Sequence, residues 1–315
     1  MHERPTMSRE PVMDPGLDPV VGGSSERVAQ RATSSEGGLD HLAVQGVDIA
    51  ELLAADNRRA RQQALLRFGA PVIGVVVFFA AWQLAVTIFD IPRYQLPAPW
   101  DIVKHVAGDP GFYIRNGRVT AWEAFLGFTV ALVLALIGGT LMAHSPFIER
   151  ASLPLAVLIQ VTPIIAYAPA IVIWFGFGLK SILVITSLVC FVPFLVNSVA
   201  GLRSVDPNLL ELARSVDARK RVIFWRLRLP SSLPFLFSAA RIAVGLALIG
   251  AVLGEFFGSK EGLGYAIKTA QARPIQLIDQ LWGSIFVLGL MGGVATLLIG
   301  AIERVVLHWH SSQRL

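Results

Sequence analysis

Six stretches of this 315-residue chain are each apolar over the roughly 20 residues that a helix needs to cross a bilayer. They fall at about 69–89, 124–143, 153–175, 179–201, 232–254 and 281–303. A bilayer core has no water to satisfy backbone N–H and C=O groups, so only helices and closed barrels span it. The runs are continuous rather than alternating, which excludes a barrel. An all-α membrane protein of six transmembrane helices is therefore expected. Composition agrees, with 54% hydrophobic and 16% charged residues and a mean hydropathy of +0.60, outside the habit of soluble domains. The third and fourth runs are separated only by Gly176-Phe-Gly-Leu-Lys180, a tight turn that predicts an antiparallel pair.

Charge sets the expected orientation. Residues 1–57 carry ten Asp/Glu and four Arg, a net of −6, which leaves +11 on the remainder of a chain whose total is +5. This Pro/Gly/Ser/Asp-rich stretch lacks the apolar centre of a signal peptide and reads as a disordered cytoplasmic tail. Alternation over 41–55 suggests one short amphipathic helix within it. A basic juxtamembrane segment, 58–68, follows, and 69–310 is left as the six-helix domain. With the N-terminus inside, the inner segments hold fourteen Lys/Arg and the outer ones eight, so both termini are predicted to be cytoplasmic. That places a long inner loop at 202–231 and outer loops at 90–123 and 255–280. A basic balance of this kind answers anionic membrane lipid rather than nucleic acid.

The 202–231 loop is a basic, helix-forming island between two apolar runs. Pro207 begins a helix, with Asp206 or Asn208 near its N-cap. Leu209, Leu212, Ala213 and Val216 give that helix an apolar stripe. Asp217 then precedes a second, Arg-rich helical run that Pro230 is expected to end; Asp217 is read as its cap, in a turn conformation that glycine would adopt freely. An apolar stripe held outside the bilayer suits the groove of a cytosolic partner. The plainer reading is a positive-inside anchor with no partner.

Fixed offsets in this loop carry a resemblance. Glu211, Ala213, Leu227, Leu229 and Pro230 fall in register with the E-A-A, three residues, G, nine residues, I-x-L-P signature of ABC-importer permeases. Leu212 stands where the second position is usually Ala, and Asp217 where it is Gly. Gln95-Leu-Pro-Ala-Pro-Trp-Asp-Ile-Val103, Thr162-Pro-Ile-Ile-Ala-Tyr-Ala-Pro169, Phe191-Val-Pro-Phe-Leu-Val-Asn197 and Gly262-Leu-Gly-Tyr265 are similar to segments of the permeases for nitrate, sulfonate, taurine and thiamine-precursor pyrimidines. The stretch Ile249–Gly258 looks most like the branch handling thiamine-precursor pyrimidines or riboflavin. The resemblance covers about 70–310. It implies the type I ABC importer permease fold, in a multi-pass plasma-membrane protein that forms the solute path. It also implies coupling through Glu211, Leu212, Ala213, Asp217, Leu227 and Pro230 to a cytosolic ATPase dimer. A second permease copy and an extracytoplasmic solute-binding protein complete the implied assembly.

What the chain lacks fits that division of labour. It has no G-x-x-x-x-G-K-[ST] phosphate loop, so ATP hydrolysis is assigned to partner subunits and the chain is not expected to be an enzyme. No cofactor or metal is expected: the six His are scattered, with His308 and His310 near the C-terminus. Cys190, the single cysteine, reads as a buried thiol. Gln160, Tyr167 and Trp174 recur every seven residues, which predicts one shared face on the third span, and Pro163 and Pro169 along it remove backbone donors and are expected to kink the helix. With Asn197 they are candidates to line a solute path; ordinary interhelical packing is the alternative. Arg241 is read as snorkelling to the headgroups and Glu255 as a boundary residue or a further path candidate. Two other classes make demands on the spans. An intramembrane enzyme needs a catalytic constellation that the spans lack. A stand-alone secondary transporter needs mid-span carboxylates, whereas Glu255 and Glu303 lie at span ends.

Overall fold

The computed structural model describes residues 69–70 and 72–307. The tail 1–57, the basic segment 58–68, the helix expected at 41–55, and His308 and His310 lie outside the described residues. The chain divides between Phe79 and Ala80 into two units. The described part of the first is the opening half of an apolar helix, α1, Val72–Ile88.

Among the described residues, every regular element of the second unit is a helix. After α1 come α2 (Pro99–Gly108), α3 (Pro110–His144), α4 (Pro146–Val161), α5 (Ile164–Phe175) and α6 (Leu179–Arg203). Next are α7 (Pro207–Ser215), α8 (Lys220–Ile223), a π-helical turn (Phe224–Arg228), α9 (Leu229–Gly258), α10 (Leu263–Gln271) and α11 (Pro274–Val306). Four helical runs are long and apolar enough to cross a membrane: α3, α6, Lys220–Gly258 and α11. A fifth crossing would have to come from α4 and α5 together, and α1 is a shorter apolar helix.

Three expectations change here. The third span is not one kinked helix, because α4 and α5 meet at a bend of 102°. The cause is local. Pro163 disfavours helical geometry in the residue before it, and Thr162 is extended at φ −74° and ψ 123°. Secondly, 90–123 and 255–280 are not open loops: α2, the first turns of α3, and α10 occupy them. Proline at the first turn of α2 and of α3, with Asp109 accepting the Phe112 amide at 3.0 Å, starts these helices well before the apolar run. Thirdly, Pro230 does not end the second loop helix. The π turn lets the Leu229 amide reach back to Phe224, and the wider turn relieves the clash a proline makes with the carbonyl four residues earlier. The chain then runs on into α9.

The core is α6 held between α3 and α9. Small residues recur at intervals of four on both flanking helices: Gly127, Ala131, Ala135 and Gly139 on α3, and Ala239, Ala243, Ala247 and Ala251 on α9, all buried. Facing them on α6 is the buried ridge Ile182, Thr186, Cys190, Phe194, Ser198 and Leu202. Lipid tails give no hydrophobic drive between helices, so close backbone approach and dispersion contacts carry the packing. A Cβ at Gly127 would overlap Thr186, and one at Gly250 would stand 2.7 Å from the Thr186 backbone. Cys190 is buried as expected, its thiol donating to the Ala243 carbonyl at 3.4 Å. A smaller cluster seats α5 on α6, with Ala168, Ile171 and Val172 against Ile185. Gly176 and Gly178, at φ 80° and 103°, make the turn between them.

Candidate coupling surface and translocation face

The 202–231 segment is a hairpin of helices with a pinned base. Gly201 permits the closure, since a Cβ there would sit 2.8 Å from Ser232 Cα. Ser204 Oγ donates to the Gly201 and Ser231 carbonyls at 2.8 and 3.3 Å. Arg203 grips Glu149 through both guanidinium nitrogens at 2.7 Å and reaches the Met142 carbonyl at 3.2 Å. One side chain therefore ties the end of α6 to the start of α4 and the end of α3.

Above that base, Asp206 caps α7 by accepting the Asn208 amide at 2.8 Å, and Pro207 fills the first helical position. Leu209, Leu212 and Val216 stand 49%, 62% and 70% exposed along one stripe, with Ala213 half-buried beside them, and α7 buries no residue of its own. Nothing within the described residues covers this stripe. Glu211 is exposed on the same helix, and Leu227 and Pro230 are half-buried where the π turn passes into α9.

Asp217 does something other than cap the second helix. Arg219 holds the N-cap position of α8, with no side-chain cap there. Asp217 has φ 56°, in the left-handed region. Its amide donates to the Arg214 carbonyl at 3.0 Å and that of Ala218 to the Ala213 carbonyl at 2.9 Å. These paired bonds are the Schellman closure of a helix C-terminus, in which the residue at Asp217's place is usually glycine. The conformational half of the expectation holds, and the capping half is corrected.

The polar candidates of the third span part company at the 102° break. Gln160 is exposed on α4, so seven-residue spacing no longer aligns it with Tyr167. Tyr167 is half-buried in the α5–α6 cluster, and Trp174, two turns further along α5, is 77% exposed. Asn197, half-buried on α6, donates to the Pro193 carbonyl at 2.8 Å within its own helix. Arg241 does not snorkel as an isolated cation; it pairs with Glu303 of α11 at 2.5 Å.

Glu255 is not a boundary residue. It is fully buried, and its Oε2 accepts the Gly264 amide at 2.5 Å. From α3, Asn116 Oδ1 accepts the Gly262 amide at 3.1 Å and Thr120 Oγ1 the Leu263 amide at 2.9 Å. Glu123 lies one further turn along the same face, buried as well. Three successive backbone amides of the Gly262–Tyr265 stretch are thus bound by side chains of two helices. Gly262 has φ 96°, and a Cβ there would collide with the Glu255 carboxyl, so glycine is required on both counts. The sequence signal was the spacing Asn116, Thr120, Glu123 on one helical face; it is missed when 90–123 is read as a loop.

The family model for the binding-protein-dependent transport system inner membrane component matches residues 125–310. The chain is 33% identical to the formylaminopyrimidine transport permease protein ThiX of Halalkalibacterium halodurans over 77% of its own length and 96% of that protein's. It is also 33% identical to the riboflavin transport system permease protein RibX of Chloroflexus aurantiacus, over 80% and 96%. A structure of the MetNI methionine ABC transporter in an inward-facing conformation is similar in fold, with a TM-score of 0.55 at 18% identity, covering 62% of this chain and 96% of that one.

Proposed function

The chain belongs to the family of binding-protein-dependent transport system inner membrane components, as an ABC-importer permease of the plasma membrane, and from that premise we propose that α7 is its coupling helix. The observation that carries this is the bare stripe Leu209, Leu212 and Val216 on a helix whose base is pinned by Arg203, Glu149 and Gly201. A rigid mount with an uncovered apolar edge transmits a push. A flexible anchor needs no such mount.

In this reading the stripe enters a groove on a cytosolic ATPase dimer. Glu211, Leu212 and Ala213 lie in or beside the contact, Asp217 sets the turn that follows, and Leu227 and Pro230 pass the motion into α9. ATP hydrolysis belongs to the ATPase partners. Two permease copies form the path, with α1 and the α4–α5 pair completing six spans in the type I arrangement. Both termini are cytosolic, 1–57 is a cytoplasmic tail, and 58–68 and 69–310 are the juxtamembrane segment and permease domain. An extracytoplasmic solute-binding protein delivers the solute. The relatives named for formylaminopyrimidine and for riboflavin, each 33% identical, favour a flat heteroaromatic solute of that kind over nitrate, sulfonate or taurine. Tyr167 and Trp174 supply ring faces for such a solute, and Gln160 and Asn197 are polar candidates along its path.

Burying a carboxylate in an apolar groove costs several kcal/mol unless it finds a partner. Leu212→Asp permease should therefore insert normally yet fail to copurify with its ATPase or to stimulate it. Full stimulation by that variant would refute the coupling role.

A further inference from the structure

Glu123 and Glu255 are a buried pair that the transport reading does not use. Their carboxyl groups face each other within hydrogen-bonding reach. Glu255 is fully buried and Glu123 is 6% exposed. Each also has an oxygen, Glu123 Oε2 and Glu255 Oε1, sealed from solvent with no donor in contact.

No cation among the described residues answers this pair: the ion pairs there are Arg93–Asp101, Arg203–Glu149 and Arg241–Glu303. Around it, Arg115 and Arg118 are on exposed positions of α3, Lys180 is exposed at the start of α6, and Lys260 and Glu261 are exposed on the turn before α10. Lys268 of α10 lies over the Phe256 ring at 5.9 Å. Tyr265 of α10 and Asp279 of α11 are half-buried. The nearest further charge, Glu261, is negative and only adds to the repulsion. Two touching carboxylates shut away from water and from cations cannot both stay ionised. A metal cation is disfavoured as the remedy, because the Gly262, Leu263 and Gly264 amides converge on this cluster with their positive ends inward.

We propose that Glu123 and Glu255 form a proton-binding site, in which one proton is held between the two carboxyl groups and fastens the Gly262–Gly264 turn to α3 and α9. The proton converts one carboxyl into a donor, so the pair binds itself while Glu255 Oε2 remains free to accept the Gly264 amide. This holds whichever solute the chain carries, and its readouts do not depend on transport.

The test is infrared spectroscopy of the purified full-length protein at neutral pH, with thermal unfolding of the same samples. The wild type should show a protonated-carboxyl carbonyl band that is lost in both Glu123→Gln and Glu255→Gln. Glu123→Gln should keep near wild-type thermal stability, because its amide donates where the proton did, whereas Glu123→Ala should be weakened. Should either Gln variant fail to fold, the wild-type band and the remaining variant decide. Absence of the band, its survival in either variant, or equal loss of stability in Glu123→Gln and Glu123→Ala would overturn the proposal. So would loss of the wild-type band on adding sodium or calcium ions, which would make this a metal-cation site.

Discussion

At position 217 an L-residue takes a backbone conformation that glycine adopts freely. Left-handed geometry costs a side-chain-bearing residue roughly 1–2 kcal/mol, eased for Asp by its local hydrogen bonding. Asp217→Gly should thus leave the loop as firm or firmer, by up to about 1 kcal/mol, and Asp217→Leu should loosen it by about as much. Trypsin cleavage at the loop arginines of the purified protein reads this directly: slower or unchanged for the Gly variant, several-fold faster for Leu. Equal rates for the two variants would mean that the Schellman closure does not hold the turn. The sequence showed that 217 is a glycine-type position because the offsets around it are fixed. It did not show which bond the side chain makes, since an aspartate suits an N-cap and a left-handed C-terminal turn alike. The role of Glu255 is hidden for a different reason: Asn116 and Thr120, which bind the same turn, and Glu123 are more than a hundred residues away in sequence, and only folding brings them to it.

At the scale of elements, the apolar runs located α6 and the body of α9 to within a few residues and missed the starts of α2, α3 and α10. Hydropathy marks where lipid is, and helices that begin in polar sequence continue past that mark. The α4–α5 break was legible as a proline-bearing segment, but its angle was not, and the angle separates Gln160 from Tyr167. The small-residue ridges of α3 and α9 stand in the sequence at every fourth position, but Gly and Ala carry no hydropathy contrast within an apolar run that would mark them as packing surfaces. The clearest element-level dependence is the Arg203–Glu149 clasp, which joins the loop base to α4. Exposed ion pairs contribute little to global stability, so its effect should appear in transmission rather than in melting. Arg203→Glu and Glu149→Arg should each reduce ATPase stimulation at unchanged expression, and the double swap should restore much of it. Additive losses in the double variant would show that the pair does not act as a unit.

At the scale of the whole molecule, everything proposed for the loop depends on which side of the membrane it occupies. The excess of inner over outer Lys/Arg is moderate, fourteen against eight, with seven of the fourteen in the 202–231 loop itself. The family match fixes the class of protein but leaves the sidedness of each segment to be measured. In a Cys190→Ser background, which removes the chain's single thiol, Ser215→Cys places a new thiol on the exposed end of α7. A membrane-impermeant maleimide should leave that thiol unlabelled in intact cells and label it once the membrane is opened. Labelling of Ser215→Cys in intact cells would put the loop outside and contradict the coupling account at its root.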